Sequence, residues 1–319
     1  MSAIRLVDTR EMGRDEWLVH RRLGIGGSDA AAIAGLNPWR SPIQVYMEKA
    51  GEIPAEELAS EAAYWGTRLE DLVAREFTRR TGIRAHRCNA ILQHPDHPFM
   101  IANIDRRIVG SDEGPGILEC KTASAYARDD WADDRVPPCY LIQVQHYLAV
   151  TGYSYGYTAV LLGGREFRYA RIDRDEELIS HLIEIEEGFW QRVESRNPPP
   201  FDGSEASSEL LKRMYPEADP ELTVDLPAEA SLLLTEYEVA KAEEKAAGER
   251  AEAAANRIKA LMGEASLGHI DDRVVSWKSV ASSRFDSKAF QAAHPDLHAQ
   301  FTRLSSYRRF SISGAKEWR

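Results

Sequence analysis

Apolar residues three and four positions apart run through residues 61 to 81, where Leu69, Leu72, Val73 and Phe77 recur and Gly82 follows. That period predicts an amphipathic helix with glycine at its C-terminal cap. Glu70 sits at the edge of the apolar stripe, which places its carboxylate toward the core side. The pattern then shortens. Ala90-Ile91-Leu92, residues 99–105 and residues 116–122 read as extended strands, with 110–116 as a polar turn. Asp105 and Glu119 thereby fall on neighbouring strands. After Pro137-Pro138 a helix is predicted over 140–150, ended by Gly152, with Gln143 and Tyr147 one turn apart on one face. Residues 155–162 and 166–172 form a predicted hairpin turned by Gly163-Gly164. Asp173 is expected to cap a further helix reaching about residue 196, with Leu178, Leu182, Ile183, Phe189, Trp190 and Val193 as its buried side. Asn197-Pro198-Pro199-Pro200 stops that helix and stiffens the chain. The order helix, strands, helix, strands, helix predicts an α/β fold, a mixed sheet flanked by helices.

Two stretches lie outside this alternation. Near the N-terminus, Gly24-Ile25-Gly26-Gly27-Ser28-Asp29 leads into alanines, so Ser28 or Asp29 is expected to cap a helix that stops at Gly35. A glycine-rich turn feeding a helix N-terminus is either an ordinary turn and cap or an anion site. Its spacing matches neither a Walker loop nor a dinucleotide loop. Beyond residue 203 the composition shifts, which divides the chain into an expected catalytic domain, 1–203, and a C-terminal extension, 204–319. In the extension residues 227–263 are rich in Ala, Glu, Lys and Leu and predict a helix on the order of 50 Å long. Short strands are expected at 274–280 and 301–313, around a helix near 287–293. No internal repeat is present.

With 319 residues, 43% of them hydrophobic, the chain can bury a full core. No apolar stretch approaches the roughly 18 residues of a membrane span, and no secretory signal opens the chain, so a cytoplasmic protein without membrane contact is expected. Cys88, Cys120 and Cys139 lack the spacing of a zinc ribbon, an iron-sulfur cluster or a disulfide framework. The net charge of -11 means that any nucleic-acid surface must be local. Candidate basic clusters are Arg79, Arg80, Arg84 and Arg87, then Arg106 and Arg107, and late in the chain Arg303, Arg308 and Arg309; surface solvation is the bland reading of each.

The chemistry concentrates at Gly116-Ile117-Leu118-Glu119-Cys120-Lys121. Alternate residues of a strand share a face, so Glu119 and Lys121 project together while Leu118 and Cys120 turn away. Carboxylates about 4 Å apart repel by about 4 kcal/mol at an effective dielectric near 20. A divalent cation removes that penalty, and hard oxygen donors without a histidine cluster favour Mg2+, with Mn2+ as a substitute, in a two-ion site. Expected ligands are Glu70, Asp105, Glu119 and the backbone carbonyl of Cys120. Lys121 then positions or deprotonates a water, or offsets charge on a scissile phosphate. Gln143 and Tyr147 either brace the site, contact the DNA backbone, or only pack. His86, His94, His97 and His146 show no ligand spacing and are expected to be structural or surface residues. Trp17, Trp39, Trp65 and Trp131 are expected mainly in core packing, with base stacking as the alternative.

The run from Arg22-Leu23-Gly24 through Ser28-Asp29-Ala30-Ala31, with Asn37-Pro38-Trp39, Gly66-Thr67-Arg68-Leu69-Glu70, Asp105, Glu119-Cys120-Lys121 and Gln143-Val144-Gln145-His146-Tyr147, resembles the YqaJ-type viral recombinase and phage lambda exonuclease-like family of the PD-(D/E)xK nuclease superfamily. The likeness covers about residues 10 to 200. It implies a restriction-endonuclease-like core and 5′-to-3′ digestion of duplex DNA ends, leaving 3′ single strands for a single-strand annealing protein in phage or prophage recombination. By resemblance Glu70, Asp105 and Glu119 are metal ligands, Lys121 is the catalytic lysine, Gln143 and Tyr147 match the Gln-xxx-Tyr helix of RecB-like nucleases, and Arg22 and Ser28 hold the 5′-phosphate. Asp105 follows Asn103-Ile104 rather than the proline of the superfamily name. A ring of three subunits, with basic residues lining its channel, would reconcile an acidic chain with DNA. Rival expectations are a RecB-like or structure-specific endonuclease and a non-catalytic DNA-end or recombinase-binding scaffold.

Overall fold

The computed structural model describes residues 3–53, 61–304 and 306–313. The chain divides into two compact units, Met1–Tyr215 and Pro216–Arg319. The expected boundary at 203 moves because α7 (Glu205–Met214) buries Ala206, Ser207 and Leu210, and Leu210 joins the core of the first unit.

The first unit begins with β1 (Ile4–Asp8), α1 (Arg14–Arg22), α2 (Gly27–Ile33), α3 (Pro42–Ala50) and α4 (Glu61–Thr81). It continues with β2 (Arg84–Arg87), β3 (Ala90–Gln93), β4 (Ile101–Ala102), β5 (Arg106–Val109) and β6 (Gly116–Ala123). A 3-10 turn at Ala125–Trp131, α5 (Pro138–Thr151), β7 (Tyr155–Leu162), β8 (Glu166–Asp173) and α6 (Glu176–Glu194) complete it before α7. Five strands form the central sheet in the order β2-β5-β6-β7-β8, and the β6–β7 pair is parallel while its neighbours are antiparallel. A separate antiparallel sheet joins β1, β3 and β4. This is the expected mixed sheet between helices.

Pleating decides which helix meets which face. Leu118 packs with Val73 and Phe77 of α4, whereas Ile117 packs with Val144, Tyr147 and Leu148 of α5. Glu119 and Lys121 share the face of Ile117 and so look toward α5. Along α4 the buried line is Val73, Ala74 and Phe77, while Leu72 is 46% exposed. Each residue turns about 100° around a helix, so Leu72 cannot share the line of Val73 and Phe77 despite its apolar character. α5 is buried along nearly its whole length, as a helix between a sheet and further helices must be.

Two caps differ from expectation. The N-cap of α6 is Asp175, whose carboxylate accepts from the Leu178 amide at 3.0 Å; Asp173 instead pairs with Tyr155 at the end of β8. The N-cap of α2 is Gly26, and Asp29, in the first turn, accepts from the Gly26 amide at 3.1 Å. Gly27 is required by proximity: a Cβ there would lie 2.7 Å from Tyr147 Cε1 and 2.9 Å from the Gln143 carbonyl. The glycine turn therefore sits directly on the Gln143–Tyr147 segment of α5.

The second unit contains α8 (Ala230–Met262), the hairpin β9 (Leu267–Ile270) and β10 (Arg273–Ser276), α9 (Ser287–Ala293) and α10 (Pro295–Phe301). The long helix and the helix at 287–293 match expectation. The strand expected over 274–280 begins earlier and ends at Ser276, and among the described residues 301–313 form none. α8, α9 and α10 bury no residue, and Leu232, Leu233, Leu261, Phe285 and Phe301 are exposed.

Candidate active site

Extending the β5–β6 register explains why two acids meet. Arg106 pairs with Leu118 and Arg107 with Ile117, so the next pair in sequence sets Asp105 against Glu119 on one face. β5 pairing has ended there, which leaves the Cys120 amide free of a strand partner on that side. Asp105 Oδ2 accepts it at 2.9 Å. Burial first, then the charges of Glu119 and Glu70, hold the Asp105 carboxyl well above the usual carboxylate range.

Glu119 is 3% exposed. Its Oε1 accepts from Lys121 Nζ at 2.8 Å and from Gln143 Nε2 at 2.7 Å, while its Oε2 is buried with no hydrogen-bond partner. Lys121 Nζ also donates to Gln143 Oε1 at 2.9 Å, and Gln143 Nε2 donates to the Tyr147 hydroxyl at 3.1 Å. Burial pulls the Lys121 ammonium down, but Glu119 and Asp105 outweigh it and raise the group, so it is charged at neutral pH. Burial, then the Glu119 charge, raise Tyr147 well above the ordinary phenol and keep its hydroxyl neutral.

Glu70 stands differently. Its carboxylate is bound by Arg106, which is 3% exposed and also binds Asp71 and the Asp105 carbonyl. Arg106 is thus a buried clamp joining α4 to the start of β5, which corrects its expected place on a DNA-facing surface. Arg107, on the opposite face of β5, is exposed and lies 5.8 Å from the Tyr153 ring. Among the described residues no three His, Cys, Asp or Glu side chains close into a ready metal shell. What fits a hard divalent cation is narrower: two acids opposed across strands, one buried carboxylate oxygen lacking any partner, and one carboxyl strained toward its protonated form. The Cys120 thiol is raised by burial and by both acids, and all three cysteines are free.

Beside this cluster lies a second one built on Asp29, fully buried in α2. Its Oδ1 accepts from Arg40 at 2.5 Å and Arg21 at 3.3 Å, and its Oδ2 from Lys49 at 2.7 Å. Burial opposes ionisation, yet Lys49, Arg21 and Arg40 together hold its carboxyl well below the usual range. Arg21 donates to the Ser28 hydroxyl at 2.6 Å, so Arg21 rather than Arg22 is the arginine paired with Ser28. Arg22 Nε is buried with no partner. Of these, only Arg22 and Ser28 were legible as candidates; Arg21, Arg40 and Lys49 are brought in by α1, the turn after α2, and α3. The one sequence signal for them is Asp29 itself, an acid three residues past Gly26 that must be neutralised once the alanine helix is buried.

Asp29→Asn is expected to lower stability by about 3 kcal/mol at neutral pH, since the largely buried Arg40 and Lys49, and the part-exposed Arg21, lose their counter-charge. A carboxyl depressed by folding contributes stability that is present above its unfolded pKa, about 3.9, and lost as pH falls through its folded value. Denaturant titrations should therefore show the gap between wild type and variant closing below about pH 4; a gap independent of pH would refute the assignment.

Both clusters open onto one cleft of about 2290 Å3. Among the described residues its lining is richer in cations (Arg14, Arg21, Arg22, Arg40, Lys49, Arg68, Lys121, Arg135 and Arg213) than in acids (Glu48, Glu61, Asp130, Glu205 and Glu209). The local balance thus reverses that of the acidic chain. His146 is structural, as expected: fully buried, with Nδ1 2.8 Å from Glu186 Oε1 and Nε2 donating to the Ile101 carbonyl at 2.9 Å. The tryptophans divide. Trp131 is buried and Trp17 half-buried, but Trp39 and Trp65 are 60% and 52% exposed, which corrects the core-packing expectation for both.

Among the described residues no helix is long and apolar enough to cross a membrane. The YqaJ-like viral recombinase domain matches residues 16–154, a span holding every candidate from Arg22 to Tyr147. Protein YqaJ of Bacillus subtilis (strain 168), itself uncharacterized, is 42% identical over 310 residues, covering 96% of each chain, so the extension is shared along with the core. The crystal structure of an alkaline exonuclease from Laribacter hongkongensis matches with a TM-score of 0.50 and 19% identity, covering 63% of this chain and 97% of that one, and shows the fold. The chain belongs to the YqaJ-like viral recombinase family.

Proposed function

We propose that the chain is a divalent-cation-dependent exonuclease that resects double-stranded DNA ends, removing the 5′ strand and leaving a 3′ single strand for an annealing protein. The observation that carries this reading is the Asp105–Glu119 opposition, with Glu119 unpartnered at Oε2 and bonded through Oε1 to Lys121, which lines a cationic cleft. Asp105 and Glu119 would hold Mg2+, with the Cys120 carbonyl beside them and Glu70 available if released from Arg106. When bound, the cation polarises the phosphoryl oxygen and acidifies water. Lys121 supplies a fixed positive charge toward the scissile phosphate, Gln143 orients that ammonium through Oε1, and Tyr147 holds the Gln143 amide. Arg22 and Ser28, with Arg21 and the Asp29-centred cations behind them, would receive the terminal 5′-phosphate, because the Arg22 Nε is an unsatisfied donor.

The family membership and the excess of cations in the cleft support a DNA substrate in recombination. The exposed apolar residues of the second unit support assembly, into a ring of subunits or with the annealing partner. Digestion of duplexes labelled separately at the 5′ and 3′ ends, with and without a terminal phosphate and with Mg2+ or EDTA, tests the whole reading. Mg2+-dependent release of the 5′ label, faster from phosphorylated ends, is expected. Cutting of closed circular DNA would replace it with an endonuclease, and binding without product in any metal would replace it with a scaffold.

A further inference from the structure

The cleft contains aromatic rings that the hydrolytic groups leave unused. Lys121 Nζ lies 4.7 Å from the centre of the Tyr140 ring. Tyr140 stacks on Trp131, with centroids 5.5 Å and planes 29° apart, and on Trp39, at 6.4 Å and 30°. Trp131 is 3% exposed and fixes the inner end of the series, whereas Trp39 is 60% exposed at its open end. All three rings line the same cleft as Lys121 and Gln143.

The backbone around Trp39 is built to hold it there. Gly35, at φ +71°, ends α2 and turns the chain. Asn37 Oδ1 accepts from the Trp39 amide at 2.9 Å, a side-chain turn that fixes the ring's starting direction. The next residue, Arg40, is anchored on Asp29 and Glu48, each at 2.5 Å. A lone exposed tryptophan calls for no explanation. One held by its neighbours Asn37 and Arg40, stacked on a supported ring and set in a cleft that Arg21 and Arg135 also line, is a surface for a planar group attached to an anion.

We infer that Trp39, backed by Tyr140 and Trp131, is a stacking shelf for an unpaired nucleobase of the strand being cut. The inference rests on the nuclease reading above and names what that site does with the base. A terminal nucleotide that leaves the helix as its phosphodiester enters the site forfeits its stacking and pairing. A flat indole returns the stacking part, and does so for every base, because each presents a π face. The shelf therefore lowers the cost of opening the duplex end without imposing a sequence preference. The phosphate stays beside the cations while its base lies on the ring.

The test compares duplexes whose three 5′-terminal nucleotides carry bases with duplexes in which those nucleotides are abasic. For wild type, kcat/KM in Mg2+ is expected to favour the base-bearing end by about tenfold, within what stacking on one aromatic ring supplies. Trp39→Ala should bring that ratio close to one, and Trp39→Phe should retain most of it. Because the readout is a ratio within one protein, a loss of folded material cancels. The same ratio of Kd values, from anisotropy in EDTA, reads the shelf without cleavage, so an inactive wild type would sink the nuclease reading while the Kd ratio still measured the contribution of the ring. Equal binding and cutting of the two ends by wild type, or a ratio that survives Trp39→Ala, would overturn the inference.

Discussion

Lys121→Ala is expected to lower the single-turnover rate of duplex degradation in Mg2+ by on the order of 10^3-fold, as loss of one preorganised charge at a developing oxyanion does. The ammonium is bonded to Glu119 Oε1 and Gln143 Oε1 and is kept charged by Glu119 and Asp105. Removing it leaves Glu119 with the Gln143 amide alone and, on the proposed reading, takes away the fixed charge that faces the scissile phosphate. DNA affinity should fall by less than about threefold, because the remaining cleft cations are untouched and long-range attraction to phosphates is shared among them. Lys121→Arg should not rescue the rate, since a planar fork on a longer reach cannot take the ammonium's place between Glu119 and Gln143. Rates from labelled duplex under enzyme excess, paired with anisotropy in EDTA, separate the two effects. A variant within about tenfold of wild type would remove Lys121 from the chemistry.

What the sequence disclosed follows the range of the forces involved. Glu119 and Lys121 share a face because strands repeat every second residue, and that pattern needs no knowledge of the rest of the fold. The Asp105–Glu119 opposition needs one more step, a turn at 110–116, which the glycines and polar residues mark. Gln143 and Tyr147 likewise read off a single helix. Arg106 reads as a surface cation in the sequence because its partners, Glu70 and Asp71, come from a helix 35 residues or more earlier, and an Arg-Arg pair looks solvated until that helix docks. Arg40 and Lys49 are silent in the sequence for the same reason: nothing local links them to Asp29 until α2 and α3 pack together. The triple proline after Asn197 stops α6, but chain stiffness does not end a core, and the apolar residues of α7 carry the first unit on to Tyr215. Trp39 is the clearest case. The ring it stacks on, Tyr140, reaches it from the start of a helix about a hundred residues away.

Asp105→Asn is expected to abolish cleavage and, in EDTA, to raise the melting temperature. Without a cation the wild-type site holds two opposed acids and the charge of Glu70, and Asp105, mostly buried, is pushed toward its protonated form by that combination. An amide of the same shape removes the repulsion while its oxygen can still accept from the Cys120 amide, as Asp105 Oδ2 does at 2.9 Å. Relief of a repulsion worth about 1 to 2 kcal/mol would shift the midpoint by a few degrees in a domain of this size. Adding Mg2+ should then reverse the ranking. Binding to the folded state stabilises wild type by mass action, whereas the variant, with one oxygen ligand neutralised, gains little. Glu119→Gln should behave in the same direction but with a smaller gain in EDTA, because Glu119 also receives Lys121 and Gln143 and its neutralisation leaves that ammonium less well compensated. Thermal melts of the three proteins with EDTA and across an Mg2+ titration read all of this without any DNA present. If Asp105→Asn is destabilised in EDTA, or if wild type fails to gain stability with Mg2+, the two acids are not the cation-binding pair and the hydrolytic centre lies elsewhere.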